Sequence, residues 1–263
     1  MGRTILELPG TILGFDRPQN VHVTRGCTSV SSGCEVCSWR WVHEKQRRMS
    51  KLGPFDDVIE NKRALMTIKK KAKPTWYTLS LRSDMFHEDV SDEYLIEVFE
   101  LIAAKKQHLF QCYTKHVHRM KHFLTEVLPA DLHDACDNLM LGVNIETQEY
   151  AWRIYELNAW KHTKVVSLAP LLGRVKSLDL SVIDWVTISS HYMPELGPIK
   201  MSWILDLIKM AKALNKPVSV DFISMGAGIE RYPSIGGQRW MGKPQLYKDW
   251  KFKNEHIWFK SKS

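Results

Sequence analysis

Short runs of consecutive apolar residues alternate along the chain with longer stretches in which apolar residues recur every three or four positions. The short runs are bounded by turn-forming or charged residues, as buried strands are; they lie at residues 21–24, 75–81, 109–114, 139–145, 163–168, 185–189 and 217–223. The longer stretches have the spacing of amphipathic helices; they lie at residues 55–71, 92–106, 117–128, 148–157 and 199–214. Ser91 or Asp92 provides a side chain suited to cap the second of these helices.

The repeated alternation of strand and helix predicts parallel strands joined by right-handed crossovers. The expected fold class is therefore α/β, either a doubly wound sheet or a full or partial (β/α) barrel with its helices outside. No linker rich in Pro, Gly or Ser divides the 263 residues, and 44% of them are hydrophobic. We expect one domain over residues 1–263, in which residues 225–263 form a C-terminal extension that covers the active site.

Polar side chains collect just beyond the predicted strands. They are a cysteine-containing loop after the first strand, residues 80–84 after the second, Lys115 and His116 after the third, Asn144 and Glu146 at the fourth, and residues 190–192 after the sixth. Both candidate folds place their active sites at the carboxyl ends of the strands. The pattern therefore predicts one convergent site.

The charge of the chain favours a polyanionic partner, because 37 basic residues against 29 acidic ones give a net charge of +8. Residues 115–122 are dense in Lys, Arg and His. This segment can be a solvated helix face. Since Lys115, His116 and Arg119 open the helix after the third strand, they can also form the rim of the predicted site, where cations suit a phosphate-bearing substrate.

Three of the five cysteines, Cys27, Cys34 and Cys37, lie in one short loop. An odd number of cysteines and no recognisable signal segment predict a reducing, cytoplasmic location, and no apolar run is long enough for a bilayer. A closed metal site needs four ligands, so three cysteines indicate a centre with one position open for chemistry. The alternative is a zinc site, which His22, His43, Cys112 or Cys136 would complete.

Several segments resemble the landmarks of a radical-SAM-like family common in bacteriophage genomes. They are residues 26–37, 83–90, 110–115, 141–146, 170–173 and 184–186. The resemblance includes six residues between the first two cysteines, where typical radical SAM enzymes have three. It implies a partial (β/α) barrel that binds S-adenosylmethionine (SAM) and one [4Fe–4S] cluster, with Cys27, Cys34 and Cys37 as the cluster ligands.

The same resemblance assigns further residues to SAM. Ser80, Ser83 and Asp84 match the place where such enzymes hold the methionyl amino group. Asn144 and Glu146 match positions that contact the ribose or the carboxylate. The cofactor-binding side of the barrel is therefore expected to follow the family pattern.

The other side of the barrel departs from that pattern. Relatives usually carry an acidic residue where this chain has Ala169, a Gly-Gly-Glu-Ser-like run where it has residues 189–192, and a Phe-Lys-Gln-like segment at residues 221–223. These changes predict a different or specialised substrate. The side chains expected to contact it are Trp39, Lys115, His116, Arg119, His191, Tyr192 and Asp221.

The resemblance implies a radical SAM enzyme that rearranges or isomerises a nucleic-acid base or a nucleotide-linked amino-acid group, as in phage DNA hypermodification of a thymine amino-acid adduct. Its partners would be DNA or a nucleotide and an electron donor such as flavodoxin or ferredoxin, in the cytoplasm of the host cell. A radical SAM methyltransferase or lyase is an alternative. A zinc-containing, non-catalytic nucleic-acid-binding protein is another.

Overall fold

A computed structural model describes residues 18–49, 53–191, 193–225 and 228–259. Its strands are β1 (Gln19–Val21), β2 (Thr24–Arg25), β3 (Ile59–Glu60), β4 (Trp76–Leu79), β5 (Leu109–Thr114), β6 (Leu139–Asn144), β7 (Lys164–Leu168), β8 (Trp185–Ser189), β9 (Val218–Ser224), β10 (Ile229–Arg231), β11 (Ser234–Ile235) and β12 (Gln238–Arg239). One sheet of eight strands has the order β1-β4-β5-β6-β7-β8-β9-β10. Its strands are parallel from β1 to β9, and β10 joins β9 antiparallel.

Helices connect the strands along the outside of the sheet. They are α1 (Ser32–Glu35), α2 (Ser38–Arg47), α3 (Lys62–Lys70), α4 (Asp92–Ala104), α5 (Val117–His122), α6 (Ala130–Ala135), α7 (Met201–Ala213) and α8 (Gln245–Phe259). A π-helical turn, Phe123–Val127, continues α5, and 3₁₀ segments span Gln148–Ala159 and Pro194–Leu196. The fold is a partial (β/α) barrel, which confirms the expected α/β class.

Most predicted elements are present, and two of the predicted strands, at residues 109–114 and 185–189, have the observed bounds. Ser91 caps α4, since its hydroxyl accepts a hydrogen bond from the Tyr94 amide at 3.2 Å. The predicted helix at 55–71 is wrong in its first half. There β3 pairs with β2 instead, so that α3 begins only at Lys62.

The described residues form two apolar clusters in the core. The larger one packs the helices against the sheet. The smaller one joins the amino-terminal ends of β4 to β8 to side chains of α8; its members are Trp76, Leu109, Met140, Val165, Trp185, Tyr247 and Trp250. The Trp250 indole also donates a hydrogen bond to the Gln107 carbonyl at 2.9 Å. The C-terminal helix therefore packs at the end of the barrel opposite to the strands' carboxyl ends.

None of the helices in the described part of the chain has the length and apolar character needed to cross a membrane.

Candidate active site at the carboxyl ends of the strands

A cavity of about 580 Å³ lies inside the partial barrel. Most of the site residues predicted from the sequence line it; they are Cys27, Cys34, Cys37, Trp39, Ser80, Ser83, Asp84, Lys115, His116, Asn144, His191 and Asp221. Glu146 and Arg119 are not among the lining residues, and Tyr192 lies outside the described residues. The structure therefore brings most of the predicted site residues to one cavity, whereas Glu146 and Arg119 lie outside its wall.

The cysteine loop begins at a glycine that no other residue can easily replace. Gly26 has φ +80°, and a Cβ atom on it would lie 2.1 Å from the Asp57 carbonyl oxygen. This close approach lets the Cys27 amide donate a hydrogen bond to the Phe55 carbonyl at 2.9 Å. The segment before α3 thus holds the first cysteine in place.

The other two cysteines are positioned by helix ends. Cys34 lies within α1, and Cys37 is the residue just before α2. The Cys37 amide donates a hydrogen bond to the Cys34 carbonyl at 3.2 Å. All three thiols are free and only partly buried, whereas Cys112 and Cys136 are fully buried. Three thiols are therefore presented to one end of the cavity.

We expect Gly26→Ala to destabilise the cysteine loop much more than Gly197→Ala does. Both glycines have positive φ, but a Cβ on Gly197 would have no neighbour within 4 Å. Gly197→Ala should therefore lose only about 1 kcal/mol of unfolding free energy from backbone strain, whereas Gly26→Ala adds a clash with backbone atoms. Urea unfolding of both variants measures the difference; equal losses would show that the close approach of Gly26 does not matter.

A lysine lies beside the second cysteine. The Lys115 ammonium donates to the Cys34 Sγ at 3.7 Å. Burial opposes ionisation of Cys34, but Lys115 and hydrogen bonds with residues 30 and 31 outweigh it and lower the pKa of this thiol. Burial instead raises the pKa of Cys27, and Asp84 adds to that shift. Cys34 is thus better prepared than Cys27 to act as a thiolate ligand.

Glu146 is fully buried below the cysteine loop instead of lining the cavity. Its carboxylate forms ion pairs with Lys115 at 2.6 Å and Arg153 at 2.8 Å, and it accepts a hydrogen bond from Ser31 at 2.6 Å. A Cβ on Gly33 would lie 2.5 Å from the Glu146 Cγ. Glu146 therefore supports the loop, and its contact with SAM stays a prediction.

Asp84 also makes several bonds within the protein. Its carboxylate accepts hydrogen bonds from the Thr114 hydroxyl at 2.7 Å and from the backbone amides of Phe86 and Lys115 at 3.0 and 2.8 Å. These bonds tie the carboxyl end of β5 to the loop after β4. Asp84 thus fixes the position of Lys115.

Two serines after β4 are bonded to the chain that precedes the cysteine loop. The Ser83 hydroxyl donates to the Thr24 carbonyl at 2.7 Å, and the Ser80 hydroxyl accepts from the Thr24 amide at 3.2 Å. Ser80 has φ +53°, an uncommon conformation for a residue other than glycine. Strained backbone of this kind often occurs at functional sites.

His87 is a site residue that sequence reasoning left without a role. Its Nδ1 accepts from the Asp89 amide at 3.1 Å, so its Nε2 donates to the Thr28 hydroxyl at 2.7 Å. The ring lies 4.8 Å from that of His116, whose Nδ1 is 2.6 Å from a Glu88 carboxylate oxygen. This histidine pair supports the loop at Thr28, next to Cys27.

Arg119 does not reach the cavity. Its guanidinium donates to the Asp92 carboxylate at 2.6 Å and to the Val90 carbonyl at 3.2 Å. α5 therefore directs this side chain toward the start of α4. The basic rim predicted from Lys115, His116 and Arg119 is not formed by these residues together, since Lys115 is also paired with Glu146.

The far wall of the cavity is polar and buried. Burial raises the pKa of Asp221, while Lys243 and the Ser219 hydroxyl limit the shift. Burial also raises the pKa of Tyr113, and the charge of Asp221 adds to it. His191 is buried as well, and among the described residues its Nδ1 has no hydrogen-bond partner. This wall offers hydrogen-bonding groups to a substrate.

The C-terminal extension, which was expected to cover the active site, supplies part of the cavity wall. Arg231, Tyr232, Arg239, Met241 and Lys243 line the cavity, although α8 itself lies at the opposite end. Arg82, after β4, also lines it and places its guanidinium 4.4 Å from the centre of the Trp39 ring. Individual roles for these cations were not predicted, because a lone arginine in a polar loop carries no sequence signal.

Solved structures of spore photoproduct lyase are similar to this chain at low identity. One complex with dinucleoside spore photoproduct has 14% identity and a TM-score of 0.44, covering 65% of this chain and 56% of that chain. A mutant with bound AdoMet and dinucleoside spore photoproduct has 12% identity and a TM-score of 0.45, covering 72% and 59%. The chain thus spans less than two thirds of these two proteins. No curated protein matches it by sequence.

A family model described as a protein of unknown function, DUF5131, matches residues 18–237. The match runs from the start of β1 to the hairpin of β11 and β12, and includes the cysteine loop and every strand of the eight-stranded sheet. The chain therefore belongs to the DUF5131 family.

Proposed function

We propose that this protein is a radical SAM enzyme that acts on a nucleic-acid base or on a group attached to one. One observation carries the proposal: three free thiols, with a lysine beside Cys34, line one end of a cavity at the carboxyl ends of parallel strands. Three thiolates hold three irons of a [4Fe–4S] cluster and leave the fourth for another ligand.

The cysteine loop fits such a cluster better than it fits one zinc ion. A closed zinc site needs a fourth protein ligand, but His22, His43, Cys112 and Cys136 do not line the cavity beside the three cysteines. A [4Fe–4S] cluster needs only the three thiolates from the protein, because its fourth iron is left for another ligand.

The wall next to the cysteines suits SAM. Asn144 and Ser167 line the cavity at the ends of the neighbouring strands β6 and β7, and Ser83 lines it after β4. When bound together, the cluster and SAM would supply a 5′-deoxyadenosyl radical. The residues of this chain would orient SAM, keep the Cys34 thiolate stable beside Lys115, and hold the substrate against Tyr113 and Asp221.

Isomerisation or rearrangement is the reaction type that requires the fewest additional groups. Cys112 and Cys136 are fully buried and do not line the cavity, so among the described residues they offer no methyl-accepting thiol pair. Modification of a thymine amino-acid adduct in phage DNA is the specific form of this proposal. An electron donor such as flavodoxin or ferredoxin would reduce the cluster.

Anaerobic reconstitution with iron and sulfide tests the proposed chemistry. We expect a brown protein that, after chemical reduction, converts SAM to 5′-deoxyadenosine, measured by chromatography. DNA nucleosides analysed by mass spectrometry with and without the enzyme would then identify the product. A colourless protein that binds one zinc ion and leaves SAM intact would contradict the proposal and favour a non-catalytic zinc protein.

A further inference from the structure

We propose that Arg82, Arg231 and Arg239 bind the sugar–phosphate backbone of a nucleic-acid strand at the mouth of the cavity. The inference rests on the proposed function, since it takes the cavity to receive a nucleotide, and it specifies that this nucleotide is part of a polymer. We call these three residues the mouth arginines.

The charges along the cavity wall are strongly unequal. Among the described residues, six Lys or Arg residues line it, namely Arg40, Arg82, Lys115, Arg231, Arg239 and Lys243, against two carboxylates, Asp84 and Asp221. Lys115 is neutralised by Glu146, and Arg40 by Asp56. The cations of the wall that remain therefore include Arg82, Arg231 and Arg239.

The mouth arginines carry this excess charge where solvent reaches it. All three side chains are exposed, and none forms an ion pair with a carboxylate of the described residues. Exposed arginines left without an acidic partner at the edge of a cavity attract phosphates, and the guanidinium group can bind a phosphate through two parallel hydrogen bonds.

An aromatic ring lies next to one of these cations. Arg82 stacks over the half-buried Trp39, which also lines the cavity. Proteins that bind single strands combine cationic contacts to the backbone with aromatic faces on which bases stack. The pair of Trp39 and Arg82 offers both groups side by side, at the end of the cavity that holds the cysteines.

The other two mouth arginines are presented by the C-terminal extension. Arg231 ends β10, at the edge of the sheet, and Arg239 lies in the hairpin of β11 and β12. The turn of this hairpin contains Gly236 and Gly237, both with positive φ and with nothing within 4 Å of an added Cβ. The tip of the hairpin is therefore open to solvent.

The volume of the cavity favours a polymer whose reacting unit alone enters. About 580 Å³ falls within the roughly 300–1,000 Å³ of small-molecule sites. That space suits a cofactor and one nucleoside, and it does not suit a duplex. Enzymes that modify a base within a strand extrude the base into such a pocket, so that the flanking phosphates remain outside. The mouth arginines lie where those phosphates would be.

Binding of a fluorescently labelled single-stranded oligonucleotide, followed by anisotropy at several salt concentrations, tests the inference. We expect Arg231→Glu/Arg239→Glu to weaken binding at least about tenfold. We also expect the slope of log K against log salt concentration to fall by about 1.4, since each lost phosphate contact contributes about 0.7 for a single strand.

Lys209→Glu/Lys253→Glu is the matched control. Both lysines are exposed on outer helices and do not line the cavity, and the double variant changes the net charge by the same amount. Equal weakening by both double variants would overturn the inference, because general charge would then explain the binding. Unchanged binding by the arginine variant would overturn it as well. Circular dichroism shows that each variant is folded.

The binding assay needs no turnover, so it separates this inference from the proposed chemistry. Wild-type protein that cleaves SAM but shows no salt-sensitive binding to the oligonucleotide overturns the inference alone. Protein that binds the oligonucleotide through the mouth arginines but never cleaves SAM contradicts the proposed function alone. Tighter binding of a free nucleoside monophosphate than of the oligonucleotide would also overturn the inference, because a monomer would then be the preferred ligand.

Discussion

Replacement of Cys34 by alanine is expected to remove the bound iron and to reduce SAM cleavage by more than about 100-fold. Loss of a residue that only supports a metal ligand already costs about 10–100-fold in affinity or activity, and Cys34 is proposed as a ligand itself. Its thiol is the one beside the Lys115 ammonium, at 3.7 Å. Iron content after anaerobic reconstitution and the rate of 5′-deoxyadenosine formation measure the effect.

Cys136→Ala is the matched control for this prediction. Cys136 is equally a free thiol, but it is fully buried, lies outside the cavity wall and contacts the Phe99 carbonyl at 3.4 Å. Its replacement removes one small buried group and should leave the iron content unchanged. If Cys34→Ala kept its iron while Cys136→Ala lost it, the cysteine loop could not be the cluster site.

Replacement of Glu146 by alanine is expected to lower the free energy of unfolding by about 3–5 kcal/mol, the usual cost of removing one member of a buried ion pair. Lys115 and Arg153 would then keep their charges in a site where their side chains are only 16% and 3% exposed. The Ser31 hydroxyl would also lose its acceptor. Urea unfolding measures the loss of stability, and iron binding should fall with it.

Two further variants keep this prediction testable. Glu146→Gln preserves the volume and one hydrogen-bond acceptor for Ser31, so we expect it to fold with an intermediate loss. Glu97→Ala removes the partner of Lys69 from a pair whose side chains are 35% and 53% exposed, and such exposed pairs contribute at most about 1 kcal/mol. If Glu146→Ala lost no more stability than Glu97→Ala, Glu146 would not support the loop.

The sequence could predict the strands and their ends because both depend on local patterns. Buried strands such as β5 and β8 are short apolar runs, and the polar residues just beyond them mark one edge of a parallel sheet. The three cysteines were visible for the same reason, since they lie in one loop. Local spacing also indicated that Ser91 caps α4, because a cap and its amide are three residues apart.

The roles of individual polar residues could not be predicted in this way, because their partners come from distant parts of the chain. Glu146 is bonded to Ser31 of the cysteine loop, and Arg119 to Asp92 at the start of another helix. Neither contact follows from spacing along the sequence. The helix predicted at 55–71 failed similarly, since Ile59–Glu60 pairs with a strand more than thirty residues earlier.

The segment that joins the β11–β12 hairpin to α8 runs alongside β9. The Val220 amide donates to the Trp240 carbonyl at 2.9 Å, and the Gly242 amide donates to the Val218 carbonyl at 2.7 Å. The segment therefore connects Arg239, which lines the cavity, to α8, whose Trp250 packs against the amino-terminal ends of the strands. Weaker packing of α8 would therefore loosen the segment that holds Arg239 at the cavity wall, and would lower the affinity for a nucleic-acid strand without any change in the wall residues themselves.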